Sequence, residues 1–201
     1  MGAQHTHVVF LKEHTCFLMV DEFVARPGVV SGVQWSIHSW NQFALDKENR
    51  TFLLERGASS LEGHFMYHED GFLSLAEGWD PPPFRTKPDA QWHQQYHLRF
   101  TISEMHARQR LGVVLCPGHA SLPRARVVCT RSGNAEVAQL GDDLLVVNQG
   151  RTMEYDGLQT DAHVLLFVSG HRYEIRDTGI GEISPWSSGC SPSPCCSSLW
   201  R

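Results

Sequence analysis

The chain has 201 residues, 41% hydrophobic and 19% charged, with a formal net charge of −5. That length and apolar content suffice for a sizeable core in one domain or two small ones. The acidic balance argues against nucleic acid or an anionic membrane surface as the main partner, since both select a basic face. No apolar run approaches the roughly 20 residues of a membrane-spanning helix. The start Met1-Gly2-Ala3-Gln4-His5 does not read as a signal peptide. Gly2 and Thr6 meet the short myristoylation pattern, but no basic patch follows them. The compartment is left open.

In chain order, three strands are expected first. Residues 8–11 and 16–20 are continuously apolar, the second run stopping at the acidic pair Asp21-Glu22. Residues 33–38 alternate, with Val33, Trp35 and Ile37 on one face and Gln34, Ser36 and His38 on the other. Continuous runs suit strands covered on both faces, and alternation suits a half-solvated one. Lys12-Glu13-His14 and Arg26-Pro27-Gly28 supply the turns. Residues 41–50 read as a polar loop, and 51–55 as a strand stopped by Arg56-Gly57. Residues 61–67 alternate, and the turn Glu69-Asp70-Gly71 joins them to a hairpin partner at 72–77.

Pro81, Pro82, Pro83 and Pro88 make 79–89 a loop, because proline removes ladder donors. A strand follows at 96–102, with Tyr96, Leu98, Phe100 and Ile102 sharing a face, and 104–110 reads as a helical turn or a polar loop. Further strands are expected at 111–116, 125–130, 136–140, 144–147, 164–168 and 173–175. Arg131-Ser132-Gly133-Asn134 and Gly141-Asp142-Asp143 are hairpin turns. Strands at intervals of about 8–12 residues, without a helix-period segment, predict an all-β, antiparallel β-sandwich of about 12 strands over 1–183. The Ser/Pro/Cys composition of 184–201 has too little aliphatic side chain to offset its ordering entropy, and predicts a disordered tail.

Chemistry-bearing residues are scattered. His5-x-His7 with Glu13 resembles a cupin metal motif without its flanking glycines, and strand-edge histidines are the plainer reading. His93-x-x-x-His97 has the spacing of a helical zinc pair, but Gln94 stands where the catalytic Glu would be and His97 falls in a strand. His64 and His68 share a strand face that could join His38 at a sheet surface. Trp35, Trp40, Trp79 and Trp92 could form a sugar-stacking platform or belong to a core. Cys16, Cys116 and Cys129 sit in apolar strand contexts typical of core thiols, and Cys116 could pair with Cys129 across a hairpin. Cys190, Cys195 and Cys196 lack the spacing of a zinc site. The arginines cluster weakly between Arg99 and Arg131, which reads either as a cationic patch or as a solvated strand face.

The opening strands, with His5, Asp21 and His38 at their ends, resemble the C-terminal β-sandwich of heparinase II/III-like polysaccharide lyases. So do the tract Glu77-Gly78-Trp79-Asp80-Pro81-Pro82 and the segment Gln91-Trp92-His93. The resemblance covers residues 5–170 as a pattern of strands. It implies a detached or C-terminal sandwich of a lyase acting by β-elimination on uronate-containing polysaccharide, in a periplasmic or secreted parent. In that family a helical toroid supplies a Tyr and a His for catalysis, and a zinc site precedes the sandwich. This chain contains no matching HxDxGSF-like segment or HN dipeptide. No catalytic residue, metal ligand or cofactor is therefore carried over. The alternative is an independent carbohydrate-binding module, with Trp79, Trp92, His38 and Trp40 as candidate contacts and an acidic polysaccharide as the partner. A sandwich separated from a toroid is also expected to self-associate through the strand edge at 8–11.

Overall fold

The computed structural model describes residues 3–24, 32–66, 70–78, 95–103 and 107–185. Within them the protein is all-β, with seventeen strands and one short 3-10 turn. The fold class expected from the sequence is the one observed, with more strands, several of them longer than expected. Among the described residues no helix is long and apolar enough to cross a membrane. The chain divides into two compact units, Met1–Arg126 and Val127–Arg201, within the span that the sequence reading treats as a single sandwich.

The first unit contains two antiparallel sheets. Strands β1 (Ala3–Leu11), β2 (Cys16–Val24), β9 (Arg108–His119), β6 (Ser59–Phe65), β5 (Thr51–Arg56) and β4 (Phe43–Asp46) form a six-stranded sheet in that order. Strands β3 (Val33–Ser39), β8 (Tyr96–Ile102) and β7 (Gly71–Glu77) form a three-stranded one. Their facing side chains make a single core. Phe43, Phe52, Phe65, Leu111 and Val113 of the larger sheet meet Leu73, Leu98, Phe100 and Ile102 of the smaller. Phe65 and Phe100 stack with ring centroids 4.3 Å apart, and Trp35 meets Phe65 edge-on at 5.2 Å. Each such pair contributes about 0.5–1.5 kcal/mol beyond the area it buries.

Several local expectations change in this context. Asp21 and Glu22 do not end β2; they are buried within it. Asp21 accepts hydrogen bonds from Thr6 and Gln4 across the β1–β2 ladder, and Glu22 pairs with Arg110 at 2.7 Å. Cross-strand partners thus hold these carboxylates inside the sheet. The loop expected at 41–50 contains β4, which Phe43 anchors in the core. The expected hairpin of 61–67 with 72–77 does not form: β6 pairs with β5 and β9, while β7 pairs with β8 in the other sheet. Of the segment 104–110, expected as a helical turn or a polar loop, Arg108, Gln109 and Arg110 open β9, and 104–106 lie outside the described residues.

The second unit holds a six-stranded antiparallel sheet. Its order is β10 (Val127–Ser132), β11 (Ala135–Leu140), β12 (Asp143–Asn148), β15 (Val164–Val168), β16 (His171–Arg176) and β17 (Gly179–Pro185). A small hairpin joins β13 (Met153–Tyr155) to β14 (Leu158–Thr160). Gly133 and Gly141 adopt φ of 60° and 61° at the two expected hairpin turns, a conformation that favours glycine. Val137, Val146, Leu165 and Phe167 pack with Met153 in the core of this unit. Of the tail expected at 184–201, Ser184 and Pro185 complete β17, and the rest lies outside the described residues.

Candidate functional site

In the first unit β3 ends and the chain crosses through Trp40-Asn41 to β4. A depression of about 310 Å³ opens there, lined by His38, Ser39, Trp40, Asn41, Leu54, Arg56 and Gln95. Its volume lies at the small end of the ligand-pocket range, roughly 300–1,000 Å³. The crossing is held in place locally: the Asn41 backbone N–H donates to Ser39 Oγ at 2.9 Å, and Asn41 Nδ2 donates to the Glu55 carbonyl at 2.8 Å. The second bond ties the turn to β5, so Trp40 projects from a braced corner. Its side chain is 62% exposed.

His38 forms one wall from the outward face of β3. Opposite it in the ladder stands His97, whose ring meets that of His38 edge-on at 4.4 Å. His97 is buried, and its Nε2 lies 2.6 Å from the Gly78 carbonyl. A carbonyl can only accept, so Nε2 carries the proton and the ring orientation is fixed. The Gly78 N–H in turn donates to the Gln95 carbonyl at 2.8 Å, which anchors another lining residue. Arg56, at the end of β5 before Gly57, is exposed and is the one formally charged side chain of the lining. Leu54 supplies an apolar floor continuous with the core.

This arrangement brings together two of the residues singled out from sequence, His38 and Trp40. Trp79 and Trp92 lie outside the described residues, as do His93 and His68. Trp35 is a core residue packed against Phe52 and Phe65, not part of a surface platform. His64 does not join His38: it is buried on β6 of the larger sheet, beside Glu62 at 3.1 Å. His5 and His7 lie on β1 and Glu13 in the following turn, and these three are not gathered around a common point.

Three of the arginines between 99 and 131 are engaged in ion pairs. Arg108 and Arg110 pair with Glu22, and Arg124 pairs with Glu55 at 2.9 Å. Cys116 and Cys129 are free thiols on strands that belong to different ladders, so the hairpin pairing between them is absent. Burial pushes the Cys129 thiol up to about 12.

Arg56, Asn41, Leu54 and Gln95 carry no motif that marks them in the sequence. They become site residues only through the pairing of β3 with β8 and of β4 with β5. No family model matches the chain, and no curated protein is similar to it. The likeness to heparinase II/III-like sandwiches therefore rests on the residue pattern alone.

Proposed function

We propose that the first unit is a carbohydrate-binding β-sandwich that takes an acidic sugar in the depression between Trp40 and Arg56. The observation that carries this reading is an exposed indole on a braced corner, beside a guanidinium and the side-chain amides of Asn41 and Gln95. A flat apolar ring matches the C–H face of a pyranose. A guanidinium fork matches a carboxylate, with two parallel N–H donors. Amide groups and the imidazole of His38 offer partners for ring hydroxyls. The resemblance to lyase sandwiches supports the same ligand class, a uronate polymer. The role proposed is binding, whether alone or as part of a lyase, because the described residues of the depression offer no positioned acid and base pair for β-elimination.

The test is a calorimetric and tryptophan-fluorescence titration with uronate oligosaccharides and neutral counterparts of the same length. Uronates are expected to bind saturably. Trp40→Ala should cost about 2 kcal/mol, roughly 30-fold in affinity, as the loss of a central aromatic anchor does. Arg56→Gln should weaken uronate binding and leave neutral sugars unchanged. Absence of saturable binding across the panel, or binding indifferent to Trp40→Ala, would overturn the proposal.

A further inference from the structure

Cys16 opens β2, and Cys116 lies near the end of β9. These strands are antiparallel neighbours whose ladder ends with Phe17 opposite Leu115. One step further along the same register sets Cys16 directly opposite Cys116. Opposed residues in an antiparallel pair have Cα atoms about 4.5 or 5.5 Å apart, and both values fall within the roughly 4.4–6.8 Å that disulfides span. The two thiols already touch through a hydrogen bond, and Cys16 Sγ lies 3.2 Å from the His14 carbonyl. Both are reduced, at 0% and 5% exposure. Cys116 nevertheless lines a second depression of about 290 Å³, together with His14, Pro117, Gly118 and His119.

We infer that Cys16 and Cys116 are a modification site, a cross-strand dithiol that a small-molecule disulfide such as oxidised glutathione converts to a bond between β2 and β9. Entry is through the depression at Cys116. The Cys116 sulfur attacks one sulfur of oxidised glutathione, forming a mixed disulfide and releasing one glutathione thiol. Cys16 then attacks Cys116 Sγ and releases the second. Two protein thiols lose two protons and two electrons in total, and oxidised glutathione takes them up as two glutathione thiols.

The experiment uses the full chain with Cys129, Cys190, Cys195 and Cys196 replaced by serine, and circular dichroism confirms the β-sheet. After incubation with excess oxidised glutathione under native conditions, both free thiols should disappear from a monomeric product. Its mass should fall by two hydrogens, and non-reducing digestion should yield one peptide pair joining Cys16 to Cys116. Dithiothreitol should restore both thiols. The further change Cys16→Ser should stop the reaction at a glutathione adduct on Cys116. In the wild-type chain the same peptide pair should dominate. Two thiols that persist, glutathione on both cysteines, or a bond between molecules would each overturn the inference.

Discussion

His64 is 7% exposed on β6, with Nε2 3.1 Å from Glu62 Oε1. Burial is the larger influence and pushes its pKa below the ordinary imidazole value, while the neighbouring carboxylate pulls it partly back. In the unfolded chain the same imidazole titrates near about 6.5. Between the folded and unfolded values the unfolded chain binds more protons, so stability rises with pH across that window. The contribution is complete above about 6.5 and is lost as pH falls toward the folded value. Urea denaturation followed from pH 7.5 down to 5 should therefore show falling stability, and His64→Gln should flatten that part of the curve. Parallel curves for the two proteins would place the slope on other groups. No periodicity argument reveals this histidine, because the alternation of 61–67 assigns it to the open face. The strand is covered on both sides, and Gly63, Phe65 and His64 are all buried.

Strand β1 is the edge of the six-stranded sheet and carries nine residues. Val8 and Phe10 are 58% and 52% exposed, and Phe10 packs on Phe17 of β2 at 4.8 Å. A long edge with apolar side chains is a template for pairing with another chain, and a charge placed on it blunts that tendency. Size-exclusion chromatography over rising protein concentration should show growing apparent mass, and Phe10→Lys should reduce it. A monomer at every concentration would remove this role from β1. Edges and centres were partly legible in advance. The unbroken apolar run of 16–20 reads as a strand covered on both faces; β2 has a ladder on each edge and buries Cys16, Leu18 and Val20 on one face, while Phe17 and Met19 on the other are only half-buried. The clean alternation of 96–102 likewise gives the core face of β8, with Leu98, Phe100 and Ile102 buried. What could not be read was which strand pairs with which. Gly71 reads as a hairpin turn between β6 and β7, yet β7 joins β8, and the two sheets are related through the shared core in which Phe65 stacks on Phe100. The site depends on those pairings, so Trp40 and His38 were legible as residue types while Arg56 and Gln95 were not.

Across the whole molecule, a formal net charge of −5 opposes the ligand class proposed for the depression. The repulsion is long-ranged, whereas the attraction rests on one guanidinium, Arg56, at contact distance. Salt separates the two. Screening lengths shorten from about 30 Å at 0.01 M to about 10 Å at 0.1 M, so added salt removes the distant repulsion first. A contact only a few ångströms long loses much less. Proteins that hold polyanions through many cations behave in the opposite way, losing affinity steeply because each neutralised charge releases a counterion. Affinity for a uronate oligosaccharide should therefore hold level or rise between 10 and 100 mM NaCl, and the association rate should rise with it. Arg56→Gln should lower affinity at both concentrations. The alternative is a row of cations along an extended groove, but Arg108, Arg110 and Arg124 are each engaged with a carboxylate. A steep fall in wild-type affinity over this range would show that such a groove exists, and that the depression beside Trp40 is not where the polymer binds.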